Sequence, residues 1–131
     1  SDFTEFQMPL NTKSLAGYVA VNGKSINIPD VYDISPETGI VFNRSFDNST
    51  GYRSKSILTV PMIDHKGAVL GVVQLINRKR NFSVKLDSPG VVDREVIVFD
   101  QENESLALSL SSMAAVALEN NNLYTEIETL F

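Results

Sequence analysis

The residues best equipped to hold a small molecule crowd into one short stretch. From Asn48 to Ser54 the chain reads Asn-Ser-Thr-Gly-Tyr-Arg-Ser, turns at Gly51, and then runs apolar into Pro61. Its amides and hydroxyls offer both donors and acceptors. Such a segment is either the mouth of a pocket or a plain connection. Covalent chemistry has far less to work with. There is no cysteine, which removes thiol catalysis, thiolate zinc sites and disulfide scaffolds. The single histidine, His65, falls in Asp64-His65-Lys66-Gly67 and reads as a hairpin tip. A Ser-His-Asp arrangement therefore has no imidazole to build on. One histidine without cysteine also excludes a His/Cys metal cluster. No GxGxxG or phosphate-loop lysine occurs, and no pair of carboxylates stands out as acid and base. The chain reads as a binding module with no enzymatic activity and no metal.

Composition narrows the partners. A net charge of −5 argues against nucleic acid, because such binders need basic patches to neutralise phosphates. Local basic groups, at Arg44, Arg53 and Lys55 and again at Arg78, Lys79 and Arg80, read as solvated loop charge. At 131 residues and 43% apolar content, the chain suits one globular domain. The apolar run AVLGVVQLI is too short to cross a membrane, so no membrane insertion is expected. The stretch SDFTEFQMPL lacks the basic and apolar regions of a signal peptide. The absence of cysteine fits a cytoplasmic location.

Several elements must position these groups. Phe3 to Met8 alternates loosely and ends at Pro9, as a short strand would. A helix from Ser14 to Val21, capped by Asn11 or Thr12, stops at Gly23. Its Gly17 points to a close backbone or ligand approach. Ile26 to Asp30 is a brief extended piece. Residues 33–55 read as a long loop anchored by Val41, Phe42, Phe46 and Tyr52. Ser56 to Ile63, a turn at 64–67, and Ala68 to Asn77 form an antiparallel hairpin, with Gly71 marking a bulge or a close approach. Val84 to Leu86 and Val91 to Phe99 read as a second, weaker hairpin.

From Asp100 the period changes. Leu106, Leu110, Met113, Ala117, Asn120, Tyr124, Ile127 and Phe131 recur at alternating spacings of four and three. This predicts a helix of roughly 30 residues, hence roughly 45 Å. Its first half is expected to pack on the sheet through Ala114, Ala115 and Ala117. Its second half, 120–131, is expected to pair with a partner helix.

The segments LAGYVAVNGKSINIPDVY, FDNSTGYRSKSILTVPMID, GAVLGVVQLINRK and VFDQENESLALSLSSMAAVALENNNLY, in that order, resemble the GAF domain. The nearest flavour is the regulatory GAF domain of cyclic-nucleotide phosphodiesterases. The resemblance implies an α+β fold, an antiparallel sheet flanked by helices (GAF/PAS-like), with a long C-terminal helix. It implies one domain over 1–131 that lacks the family's opening helix and first two strands, and an open sheet edge tends to find a partner. The family's dispersed motif of Asn-Lys, Phe and Asp-Glu maps onto Asn77, Arg78, Phe99, Asn103 and Glu104. Arg replaces Lys and Asn replaces Asp, so two opposite charges no longer face each other.

The resemblance also implies ligand positions. Leu15 and Ala16 fall where helix-start amides meet a ligand phosphate. Asp47, Thr50 and Ser54 fall on a loop covering the ligand, Gln74 on a pocket-facing strand, and Asn43 where some binders carry an aromatic. On this reading Asn48 to Ser54 is a lid, anchored by Tyr52 and Ile57. The implied function is a regulatory, small-molecule-sensing domain of a cytoplasmic signalling protein. Cyclic AMP or cyclic GMP is the candidate ligand, and the C-terminal helix relays to an output domain downstream, in a homodimer. The alternative is a ligand-free dimerisation or interaction module, its pocket filled by Phe42, Phe46 and Met62.

Overall fold

A computed structural model of the chain describes residues 12–130. Helix α1 spans Leu15–Asn22. Its cap is Ser14, whose hydroxyl accepts from the Gly17 amide at 3.0 Å, and not the expected Asn11 or Thr12, three and two residues earlier. Serine in extended backbone satisfies an amide that the first turn leaves bare. Gly23 ends the helix at φ 66°, donating to the Val19 carbonyl, a conformation that glycine adopts without steric cost.

Strand β1 (Ile26–Ile28) lies antiparallel to β2 (Ile57–Ile63), which lies antiparallel to β3 (Val69–Ile76). The sheet order is β1-β2-β3. Side chains alternate across it, and the register sorts them. Ile57 and Thr59 share one face with Ile26, Ile28, Gln74 and Ile76. Leu58 and Val60 share the other with Asn27, Val73 and Leu75. On the first face Leu15, Val31, Ile40 and Ile57 form a core beneath α1. On the second, Leu58, Val60, Phe99 and Ala107 form a core beneath the long helix.

Gly71 answers to a close approach together with a bulge. The register slips between Met62 and Ile63, and a Cβ on Gly71 would stand 2.6 Å from Met62 Cε.

The expected loop at 33–55 carries structure of its own. Pro36–Thr38 is a short 3-10 turn and α2 spans Ser45–Thr50. Gly51 closes α2 at φ 77°, the feature that made this stretch read as a turn.

The second hairpin does not form. Strand β4 (Arg78–Lys79) pairs instead with β5 (Val96–Ile97), and between them α3 spans Pro89–Glu95. The reason is local. Ser88 caps and Pro89 occupies the first helical position, where a missing N–H costs nothing and the fixed φ suits the helix.

Helix α4 spans Gln101–Leu130. Asp100 and Asn103 close its start reciprocally: the Asn103 amide donates to Asp100 Oδ1 at 2.8 Å and the Asp100 amide donates to Asn103 Oδ1 at 2.9 Å. This is a capping box with asparagine in the acceptor role. The helix does not lay its leucine stripe on the sheet. Ala107, Ser111 and Ala115 are the buried positions, whereas Leu106, Leu110 and Met113 are 61%, 57% and 68% exposed. Ala115 packs as expected and Ala117 is exposed. Small side chains let a helix axis come close to a flat sheet, and that decides which stripe turns inward. The side chains beyond Asn121, Tyr124 and Ile127 among them, lie outside the described residues, as do the expected strand Phe3 to Met8 and Phe131.

Candidate functional site

A cleft of about 140 Å³ opens between the start of α1, the segment Val41–Asn43 and β3, lined by Ser14, Leu15, Ala16, Val41, Phe42, Asn43 and Gln74. Each wall has a cause. The Val41 amide donates to the Lys13 carbonyl at 2.7 Å, which ties segment 41–43 alongside the helix start. The Leu15 and Ala16 amides belong to the first turn and have no intrahelical acceptor. No acidic side chain occupies that turn, so its partial positive charge is left uncompensated. Gln74 reaches the cleft because it sits on the α1-facing side of the sheet, opposite Thr59. Asn43 spends its carbonyl oxygen on the Ser45 amide at 2.9 Å, opening α2, and keeps its NH2 group. The walls are mostly apolar with a few polar groups at the rim, the composition of a small-molecule site.

Of the positions expected at a ligand, the structure brings Leu15, Ala16, Asn43 and Gln74 together. Asp47, Thr50 and Ser54 do not reach the cleft. Asp47 is buried, and its carboxylate is occupied. Oδ2 accepts from Tyr32 Oη at 2.6 Å and from the Ser54 amide at 2.8 Å, and Oδ1 accepts from the Ser54 hydroxyl at 2.9 Å. Thr50 is exposed, its hydroxyl donating to the Phe46 carbonyl at 2.7 Å and accepting from the Tyr52 amide. The segment is thus latched from inside to Tyr32 and to Ser54, three residues ahead of β2. Phe46 is 65% exposed, and Met62 meets Gly71 on the opposite face, so neither fills the cleft, and Phe42 alone lines it.

Arg53 is the residue that the sequence placed least well. It forms a two-pronged pair with Asp30, 2.9 Å and 3.0 Å, and its side chain is 13% exposed. Its guanidinium lies 3.8 Å over the Tyr32 ring, with the Arg44 guanidinium also 3.8 Å from that ring. Burial alone would push the Asp30 carboxyl up; hydrogen bonds from Arg53 and the Tyr32 amide outweigh it and hold the group below its usual value. The Tyr32 hydroxyl is pushed up, first by its hydrogen bond to Asp47 and then by burial. An Asp and an Arg 23 residues apart give no local signal of pairing.

A family model described as the GAF domain matches residues 2–118. The chain belongs to the GAF domain family. A dual 3′,5′-cyclic-AMP and -GMP phosphodiesterase 11A of Takifugu rubripes is 28% identical over 92% of the chain and 11% of its own length. The corresponding phosphodiesterase 11 of Drosophila melanogaster is 44% identical over 49% of the chain and 4% of its own length. The chain therefore spans a small part of the relatives it matches. Among solved structures, the GAF domain of a phosphoenolpyruvate-protein phosphotransferase from Coxiella burnetii superposes with a TM-score of 0.55 at 18% identity, over 88% of this chain and 55% of that one, a likeness of fold.

None of the five residues onto which the resemblance maps the family's motif lines the cleft. Asn77 adopts φ 63°. Its Oδ1 accepts from the Lys55 amide at 2.6 Å, and its Nδ2 donates to Tyr52 Oη at 2.9 Å and the Arg53 carbonyl at 2.8 Å. Arg78 and Asn103 do not pair directly. Arg78 reaches Asp100 at 3.3 Å and the Val98 carbonyl at 2.9 Å, and Asp100 in turn is boxed with Asn103. Phe99 is buried in the α4-side core, and Glu104 is half-buried on the first turn of α4. The carboxylate that meets Arg78 is thus that of Asp100. Among the described residues no cluster of His, Asp and Glu could hold a metal, and no helix is long and apolar enough to cross a membrane.

The tip residue His65 was expected to be solvated. Its ring is mostly exposed, but it docks on α4, with Nδ1 2.9 Å from Glu119 Oε2 and its amide donating to Oε1 at 3.0 Å.

Proposed function

We propose that the chain is a ligand-sensing regulatory domain of a cytoplasmic signalling protein, with a cyclic nucleotide as its ligand. The observation that carries this reading is the cleft itself: two uncommitted helix-start amides, suited to an anionic phosphate, face the same space as Gln74 and Asn43. The cleft is smaller than the few hundred Å³ that enclose a drug-sized ligand. Binding therefore involves movement of segment 41–43 and α2, the latter held by the Asp47 latch to Tyr32 and Ser54. A ligand shifts such an equilibrium only by its differential affinity for the two arrangements. The hairpin carrying Gln74 grips α4 through His65 and Glu119, which gives the cleft a path to an output domain beyond residue 131. Kinship with two phosphodiesterases supports the ligand class and a regulatory context. Isothermal titration of the chain with cyclic AMP and with cyclic GMP tests it: heat from at least one is expected, and none from either, with no thermal shift, ends it.

The exposed Leu106, Leu110 and Met113 stripe favours a companion reading, that two copies pair along α4. In a ligand-free interaction module this pairing is the whole function, and titration with both nucleotides stays silent while the dimer persists.

A further inference from the structure

Thr59 is fully buried at the centre of the sheet, yet its hydroxyl has no hydrogen-bond partner among the described residues. A valine of the same shape would fill the site without the cost of an unpaired buried hydroxyl. Thr59 lies on the cleft side of the sheet, with Ile26 paired to one flank and Gln74 directly opposite on the other. Directly opposed strand residues have Cβ atoms roughly 5 Å apart, so a glutamine amide can reach the hydroxyl by rotation about its own side-chain bonds. Gln74 lines the cleft and is exposed, and its amide makes no hydrogen bond among the described residues. Two polar groups thus stand side by side with neither engaged, one at the cleft surface and one just beneath it.

We propose that Thr59 is a positioning residue for Gln74: its hydroxyl takes one end of the Gln74 amide when a ligand enters, leaving the other end fixed against a polar edge of the ligand. This rests on the cleft being a nucleotide site, and it assigns the base edge to the Gln74–Thr59 pair while the phosphate lies at the start of α1. A free glutamine amide samples several orientations and loses that freedom on binding; a hydroxyl waiting beneath it reduces the loss and gains a hydrogen bond. In the free protein the same hydroxyl only costs stability.

The test is titration of wild type, Thr59→Val, Thr59→Ser, Gln74→Leu and the Thr59→Val/Gln74→Leu double variant with cyclic AMP and cyclic GMP, alongside thermal melts without ligand. Thr59→Val is expected to weaken binding of the tighter nucleotide about fivefold, the worth of one neutral hydrogen bond. Thr59→Ser keeps wild-type affinity, and in the Gln74→Leu background Thr59→Val has no further effect. The Thr59→Val melt without ligand is expected at or above wild type. Unchanged affinity in Thr59→Val, a full effect surviving in the Gln74→Leu background, or a lowered melt without ligand would each overturn the assignment. If wild type binds neither nucleotide, the reading of the cleft fails and this one with it; if wild type binds and Thr59→Val binds equally, only the role of Thr59 is lost.

Discussion

Asp47 separates two accounts of the covering segment. If its carboxylate faced a ligand, truncation would weaken binding and leave stability alone. The structure instead gives it three donors, Tyr32 Oη, the Ser54 amide and the Ser54 hydroxyl, in a site where Asp47 is 4% and Ser54 3% exposed. Asp47→Ala strands all three. The two Ser54 donors are too deep for water and cost about 1 kcal/mol or more each, and the Tyr32 hydroxyl, partly buried, costs somewhat less. Desolvating the carboxylate offsets part of its own worth, so the net loss is about 2 kcal/mol. For a domain of this size that lowers the melting temperature on the order of 10 °C. Asp47→Asn keeps one acceptor oxygen and the shape, and should lose about 1 kcal/mol. Thr50→Ala, on the exposed end of α2, should lose no more than about 0.5 kcal/mol. Urea unfolding at pH 7, read by circular dichroism, ranks the three. An Asp47→Ala variant within about 0.5 kcal/mol of wild type, or level with Thr50→Ala, would refute the latch.

Asn77→Ala removes three hydrogen bonds and leaves a Cβ at φ 63°, so it should unfold at lower urea than Asn77→Gly, by about 1 kcal/mol of left-handed strain; the reverse order would show that the backbone there is unstrained. The Asp30 carboxyl titrates lower in the folded protein than its usual 3.8. Its contribution to stability is therefore present above that value and lost as pH falls through and below it, and acid titration of Asp30→Asn should show a shallower loss below pH 4 than wild type. Leu110→Lys and Met113→Glu change side chains that face solvent in the single chain; sedimentation should show loss of a dimer with no fall in the monomer's melting temperature, and a persisting dimer would place the pairing surface elsewhere.

Periodicity along the chain determined much of this protein. Alternation from Ile57 to Ile76 with a polar turn between set the place of the hairpin, a closing glycine ended α1, and the switch of period at Asp100 marked α4. The order of four segments was enough to name the family. These are local signals, set by backbone sterics and by which side chains repeat every two or every 3.6 residues. Where a local signal was misread, as at Ser88-Pro89, the helix-start chemistry was present and a competing alternation of valines masked it.

Only the tertiary structure decided who meets whom. The partners of Asp47 and Asn77, and the Asp30 that pairs with Arg53, lie 7 to 25 residues away along the chain, and nothing local distinguishes a carboxylate turned to a ligand from one turned to a tyrosine. The sequence pattern of α4 ran through Leu106, Leu110 and Met113 and pointed to Ala114, Ala115 and Ala117 as the residues against the sheet. The packing turned Ala107, Ser111 and Ala115 there, because close approach over a flat sheet is a matter of side-chain volume on both surfaces at once, and a sequence states only one residue's volume at a time.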